Sequence, residues 1–576
     1  MSNFNNSKYN YMLEQNKKYM NLTALSFGNK EITYEEMHES IQKYAKLLYK
    51  KGVREGDIIG VCALNVPQSV YLLYALDIIG AIVVGFSPLD NKDKLRKDIE
   101  LTRPKMIITV DMKYSDFKSN EKALNFSTMN YSIADSITDS KLRISYKALQ
   151  LLKGNVTLNK NRNLEMLLQE DLSDINVTPS KYAENKLTDI MFTGGSTGIH
   201  KGVDLSGDGL NSVIEGMKYM YPEDFFTGQT YLGNIPLGHM VYGRVIMHIA
   251  LTNNMNYALT LKALPKDFYG ELVRTNAFAA VGGPPHWASL IEKQGNTYVP
   301  RSDLKRGSLS NLHLATSGGE AKKKVIEDAV NNALSFAGSQ VFLGDGLGAT
   351  ELWSVITLSS GNKYKPYSIG SPISTIEIKL IDPETGKEVK QGEAGVLNIS
   401  GPSVMIGYHD NDEETEKVIS YDENGKKWCS TGDLLRKLED GSFEYVGRIK
   451  RNFVSGIENI YPEQIENLLS TLPEVNEIVV TSIPDESVQF MPRYHISLSN
   501  ESIDIANFEN KMKLLVEKKL GVNWLPSSVE YTHEPLKRMT NSKLDVPYYQ
   551  NKDNEDYKDG KISTEEGKRL RLKKCE

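Results

Sequence analysis

Short apolar runs alternate with stretches of helical period along the first 350 or so residues. The segment "ITYEEMHESIQKYAKLLYKKGVREGDIIGVCALN" opens with a short strand, continues as a helix with Ile41, Ala45, Leu47 and Leu48 inward, and ends in the strand "IIGVCAL" after a turn at Gly56-Asp57. The runs "PKMIITV", "AFAAVGG", "LHLATSGG" and "QVFLGDG" each lead into a loop containing glycine. This rhythm predicts an α/β fold built on mostly parallel sheets. Ligands in such folds gather at the loops beyond the strand C-termini. The most apolar run, Ser69 to Phe86, has Asp77 near its centre and is interrupted at Gly80. A membrane span would carry a penalty of roughly a few kcal/mol for that carboxylate. A buried helix ending near Gly80, followed by the strand "AIVVGF", is the expected alternative.

The texture changes further on. From Lys113 to Glu184 Asn, Lys, Ser and Asp dominate, which predicts loosely patterned helix and surface connection without a motif. From about residue 372 to 450 short strands separated by Gly, Asp and Pro turns predict a β-rich subdomain. A compact α+β unit follows. The expected division is a large N-terminal domain at 1–449, a small C-terminal domain at 450–548 that moves against it, and a mobile charged tail at 549–576.

Composition narrows the function. A chain of 576 residues exceeds what one core usually serves, and 40% hydrophobic with 25% charged residues is ordinary for a soluble globular protein. The net charge of -6 argues against a nucleic-acid surface as the main business. Cys62, Cys429 and Cys575 are widely spaced and form no C-x-x-C, so neither a disulfide framework nor a zinc site is indicated. The polar N-terminus lacks the apolar core of a signal peptide, and a cytoplasmic location is expected.

The chemistry concentrates in glycine loops. In "FTGGSTGIHKGV", Phe192 to Val203, the residues Gly194-Gly195-Ser196-Thr197-Gly198 satisfy the G-x-S-x-G pattern of a hydrolase elbow with Ser196 as nucleophile. The same loop suits a phosphate cradle, since glycine backbone approaches an anion closely while Thr193, Ser196, Thr197 and Lys201 add donors. A P-loop is excluded, because Lys201 precedes Gly202 rather than Ser or Thr. Further along stand "PLGHMVYG", "ATSGGEA", "GDGLGATEL", "STGDLL", "GRIKRNFVSGIENIYPEQIE" and "LKRMTNSKLD".

In this order and spacing the elements resemble the adenylate-forming superfamily of acyl-CoA synthetases, acyl- and aryl-acid adenylation enzymes and luciferases, over Ile32 to about Pro547. The resemblance implies that the Thr193 to Gly198 loop and Lys201 fold over the β- and γ-phosphates of ATP. It places Gly318, Gly319 and Glu320 against the adenine and the acyl pocket, with Gly346, Leu347, Gly348 and Thr350 also at the nucleotide; Leu347 stands where an aromatic is usual. Glu351 and Ser196 are then the Mg2+ side chains, a hard cation meeting oxygen donors. Asp433 holds the ribose hydroxyls, Arg448 reaches the same nucleotide, and Lys543 is the catalytic ammonium, with Ser542 in place of the usual glycine. His239 is expected at the boundary of acyl pocket and phosphates, and Tyr242 and Trp287 as walls of that pocket. A hinge is expected at Lys450-Arg451, with the Gly456 loop serving thioester formation and Ile457 replacing a glycine. The implied reaction activates a fatty, aryl or other organic acid, not an amino acid, and passes it to coenzyme A. Loading of phosphopantetheine on an acyl carrier protein, and a serine hydrolase on Ser196, remain alternatives.

Overall fold

The computed structural model describes residues 4–137, 140–155, 159–193, 201–294, 297–319, 324–455, 458–485, 487–539 and 544–564. Two large sheets carry the N-terminal three quarters of these. One orders seven strands as Gly407–Tyr408, Gly202–Ser206, Leu187–Phe192, Ile82–Phe86, Ile58–Cys62, Met106–Val110 and Ser127–Tyr131. Its centre is parallel, and its 187–192/202–206 edge is an antiparallel hairpin. The other has nine strands, with Leu314–Gly318 between Ala279–Gly282 and Gly344–Leu347 in parallel register. Parallel strands of this kind are covered on both faces, which is why their sequences read as unbroken apolar runs.

The helix Pro67–Ile79 is buried along its whole length and ends at Gly80, whose φ of 80° makes it a left-handed cap. Asp77 survives inside it because it accepts from the Tyr9 backbone N–H at 2.8 Å and faces Lys8 at 3.8 Å. Lys8 also pairs with Asp189 in the sheet, which in turn meets Arg244 at 3.1 Å. Among the described residues no helix is long and apolar enough to cross a membrane.

A five-stranded antiparallel sheet follows, built from Glu377–Ile381, Ala394–Ser400, Ile419–Tyr421, Lys427–Lys437 and Phe443–Arg448. The last sheet, from Phe453–Ser455 to Ser528–Thr532, closes over Ile465, Leu469, Val480, Ile496, Phe508 and Met512.

Three expectations need correction. The stretch 113–184 contains a sheet strand, Ser127–Tyr131, whose Thr128 and Asn130 are buried polar residues and so leave no apolar run. The strand expected at "QVFLGDG" begins only at Gly344, because Phe342 before it faces solvent and Leu343 donates its N–H to the Asn331 side chain at 2.7 Å instead of to a neighbouring strand. Part of the tail expected to be mobile from 549 onward is helical, Val546–Lys558, and packs on Val475–Asp485 with Tyr549 and Asp553 buried. Its inward face packs Tyr549 and Val546 beside Val479 and Leu536, but its other inward contacts are hydrogen bonds and charge pairs of Gln550, Lys552 and Asp553, which a hydrophobic pattern does not register. Residues 565–576, with Cys575, lie outside the described residues.

Candidate active site

The glycine loop joins two strands of a hairpin: Phe192 is the register partner of Gly202, and the Thr193 N–H donates to the Lys201 carbonyl at 3.0 Å. Gly194, Gly195, Ser196, Thr197 and Gly198 lie outside the described residues. A nucleophile elbow requires a strand that turns directly into a helix. Here the chain returns as a second strand, and the helix Gly207–Lys218 starts only after it.

Lys201, at the foot of the loop, is ion-paired with Glu414, and its ammonium stands 4.5 Å from the centre of the Tyr408 ring. The Tyr408 hydroxyl donates to Glu351 Oε1 at 2.9 Å. One tyrosine therefore joins the loop cation to the carboxylate expected at the metal. The hydrogen bonds from Lys201 and Lys417 hold Glu414 down at about 2, so it stays ionised as a counter-charge for Lys201. Strand Gly407–Tyr408 reaches this spot by pairing with Val203 and Asp204.

Glu351 is fixed from behind. Its carbonyl accepts from the Met405 N–H at 2.8 Å, and its turn, Thr350–Leu352, ends at Trp353, a fully buried residue at φ 51° whose indole donates to the Ser206 carbonyl at 2.9 Å. Gly348 admits no side chain: a Cβ there would lie 1.5 Å from the Ser354 carbonyl oxygen. Gly318 and Gly346 are register partners, and a Cβ on Gly318 would touch the Gly346 carbonyl at 3.5 Å and the Tyr242 ring at 3.9 Å. The two glycines thus form a flat floor edged by Tyr242, with Leu347 half-exposed on the adjoining strand and Gly319 at φ 89°.

Asp433 and Arg448 are register partners on the antiparallel sheet. The Arg448 Nε donates to Asp433 Oδ1 at 2.8 Å, and Asp433 is almost completely buried. The Asp433 charge raises the guanidinium further. Strand Lys427–Lys437 passes close enough to Glu351 for burial, together with that carboxylate, to push the Cys429 thiol up to about 12. Glu320, Gly456 and Lys543 lie outside the described residues.

His239 sits just before the helix Val241–Thr252. Burial pushes its imidazole down to about 4, so it is neutral at pH 7, and its buried Nδ1 has no hydrogen-bond partner among the described residues. The backbone beneath it is tightly packed: a Cβ on Gly85 would stand 2.6 Å from the Gly238 carbonyl oxygen. Arg244 holds this turn by donating to the Leu237 carbonyl at 2.5 Å and the Gly238 carbonyl at 3.2 Å, with Asp189 balancing its charge. Arg244 and Asp189 interrupt otherwise apolar segments, which is the sequence signal for a buried, partnered charge. Tyr408 and Glu414 carry no such signal, because only tertiary pairing brings them to Lys201.

Beside Tyr242 lies a cavity of about 540 Å³, lined by Ile214, Tyr231, Ile246, Ile249, Val281 and Leu314 among others, with Thr316 in its wall. Its charged lining residues, Lys218, Glu223 and Asp224, are all exposed at the surface end. Tyr242, Ile246, Ile249 and Asn253 share one helix face, so the cavity runs along about 16 Å at 1.5 Å per residue. Trp287 does not line it: the ring is fully buried in a separate core and donates to the Thr316 carbonyl from the other side at 2.9 Å.

A cationic and carboxylate-bearing polar region beside an apolar chamber, with Tyr242 between the glycine floor and the chamber, is a layout that suits an enzyme activating an organic acid with a nucleotide. The comparisons agree with that class. Residues 12–409 match the family described as AMP-binding enzyme, and the chain belongs to this family of adenylate-forming enzymes. It is 27% identical over 491 residues to a long-chain-fatty-acid–CoA ligase of Bacillus subtilis, covering 81% of each chain. It is 25% identical to 4-coumarate–CoA ligase CCL1 of Humulus lupulus, covering 82% of this chain and 80% of that one. The fold matches the crystal structure of the anthranilate CoA ligase AuaEII in complex with anthranoyl-AMP with a TM-score of 0.76 at 19% identity, over 95% and 97% of the two chains.

Proposed function

We propose that the protein joins a carboxylic acid with an elongated apolar body to coenzyme A in two steps. A carboxylate oxygen attacks the α-phosphorus of ATP, and the bond to pyrophosphate breaks, leaving the acyl-adenylate. The thiol sulfur of coenzyme A then attacks the acyl carbon, its proton is lost, and AMP departs. The observation that carries this reading is the apolar cavity walled by Tyr242, the same ring that edges the Gly318/Gly346 floor, with no buried charged side chain among its described lining residues to receive an α-ammonium.

In this reading Lys201 and the loop N–H groups face the β- and γ-phosphates, exchanging Glu414 for the polyanion. Asp433 accepts from the ribose hydroxyls while Arg448 orients it. Neutral His239 offers its unpartnered nitrogen to the acid carboxyl, and Lys543 neutralises charge at the α-phosphate. The residues present suit Mg2+: Glu351 is a rigid hard-oxygen donor with Thr350 beside it and Ser196 on the loop. When bound, the ion screens the phosphate charge. Proximity of acid and nucleotide in one cleft supplies much of the acceleration.

Pyrophosphate exchange across short, aromatic and long-chain acids tests the first step, and adding coenzyme A or an acyl carrier protein separates the acceptors. Ile249→Trp fills the middle of the cavity. It should lower kcat/KM for long acids by about 10–200-fold, the discrimination available to an apolar pocket, and leave short acids within a few-fold. Equal loss for both classes would remove the cavity from substrate binding.

A further inference from the structure

The helix Ser140–Leu152 carries its apolar side chains outward. Ile144, Ala148, Leu151 and Leu152 recur at i, i+4, i+7 and i+8, the spacing of one face. Ile144 is 66% and Leu152 86% exposed, with Leu149 and Leu151 about half exposed beside them. On its inner side Tyr146 packs against the core and polar groups are engaged as well. The Tyr146 hydroxyl donates to Asp111 at 2.8 Å, and buried Gln150 accepts from Asn155 at 3.0 Å, which in turn accepts from the Ser115 hydroxyl at 2.8 Å. An ordinary surface helix turns its aliphatic stripe inward rather than to solvent. A contiguous aliphatic ridge left in water marks an interaction face.

Charge says what it meets. From Ser140 to Asn163 the chain has Lys141, Arg143, Lys147, Lys153, Lys160 and Arg162 and no Asp or Glu, within a protein of net charge -6. Arg162 is engaged by Glu121, and the side chains of Lys141, Arg143, Lys147 and Lys153 are exposed around the helix. Arg143 and Lys147 lie one turn apart along the edge of the ridge, and Lys141 and Lys153 stand at its two ends. Four basic groups bordering an aliphatic ridge on a single helix complement an anionic lipid surface. A protein partner would favour aromatic anchors in a pocket, and this ridge holds only Ile, Ala and Leu.

We infer that the helix Ser140–Leu152 docks the protein on anionic bilayers, with the ridge at the acyl boundary and the basic groups among the lipid phosphates. The inference stands apart from the acid-activation reading, since it uses none of the residues around Lys201, Glu351 or the cavity.

Co-sedimentation of the full chain with vesicles of phosphatidylcholine plus phosphatidylglycerol, against phosphatidylcholine alone, is the test. Binding to the anionic vesicles is expected at low salt and should fall as salt rises. The double variants Leu151→Ser/Leu152→Ser and Arg143→Gln/Lys147→Gln should each weaken it by about tenfold or more, with unchanged thermal unfolding. No binding to anionic vesicles at low salt overturns the inference, as does equal binding by the variants. So does a solution dimer that dissociates in the leucine pair, which would assign the ridge to a second copy. Absence of pyrophosphate exchange would leave the vesicle result unaffected and would count only against the acid-activation reading.

Discussion

Lys543→Ala is expected to lower pyrophosphate exchange by about 10²–10³-fold, the usual effect of removing one charge-stabilising donor from a transition state. ATP binding measured by calorimetry should change by only a few-fold. Both described flanks of the segment are tied down. Arg538 and Leu544 pair across its base, and the Asp545 N–H donates to the Lys537 carbonyl at 2.9 Å. The Lys537 N–H donates to the Tyr549 hydroxyl at 2.8 Å, and the Leu536 N–H to Glu477 at 2.6 Å. The base is thereby tied both to the strand Val475–Asp485 and to the helix Val546–Lys558. Thioester formation from a pre-formed acyl-adenylate gives the contrast: in the proposed scheme it retains most of its rate in Lys543→Ala. Exchange above about a tenth of the native rate would take Lys543 out of the adenylation step.

How much of this was legible follows from what each residue does. Strands Ile58–Cys62, Ile82–Phe86 and Met106–Val110 are buried on both faces, and their apolar runs announce them. The strand Ser127–Tyr131 occupies the same sheet with Thr128 and Asn130 inside, so periodicity passes over it. Glycine motifs were readable because the backbone there excludes a Cβ: at Gly344 it would stand 2.1 Å from the Ser359 carbonyl oxygen, and at Gly348 still closer to that of Ser354. Such positions mark themselves without knowledge of the fold. Tyr408 and Glu414 are different. They lie in "GYHDNDEETEK", an acid-rich stretch that reads as a solvated helix, and only the pairing of Tyr408 with Val203 turns it toward Lys201. The apolar cavity was equally hidden. Its walls come from the two helices Gly207–Lys218 and Val241–Thr252 and from several strands of the nine-stranded sheet, and no local pattern encodes their convergence.

Asp553→Ala should destabilise the C-terminal sheet by about 3–5 kcal/mol, because it strands buried cations rather than merely removing a contact. Asp553 is fully buried. It stands 3.0 Å from Arg493 Nε, accepts from the Thr481 hydroxyl at 2.5 Å and meets His495 Nε2 at 2.7 Å. On the other side His495 Nδ1 faces Glu530 at 3.1 Å, and Glu530 is also held by Arg493 at 3.1 Å and Lys552 at 2.6 Å. The ligand-type atoms of His495, Glu530 and Asp553 lie within 4.8 Å of one another, but Arg493, Lys552 and the imidazole already supply the positive charge. Burial alone would lower the His495 pKa; its bonds to Asp553 and Glu530 outweigh that and raise it. A raised value means that the stabilisation from charged His495 is complete below the unfolded value of about 6.5 and is lost as pH rises through the higher folded value. The penalty of Asp553→Ala in denaturant unfolding should therefore be largest near pH 6 and shrink toward alkaline pH, leaving the part due to Arg493. A penalty independent of pH would place His495 in its neutral form and contradict the network. The same helix presents Tyr549 to Lys537, so loosening it frees one end of the Lys543 segment. Adenylation in Asp553→Ala should accordingly lose kcat with little change in KM for ATP, and Asp553→Glu should recover part of it, whereas a nucleotide-contacting role would have moved KM first.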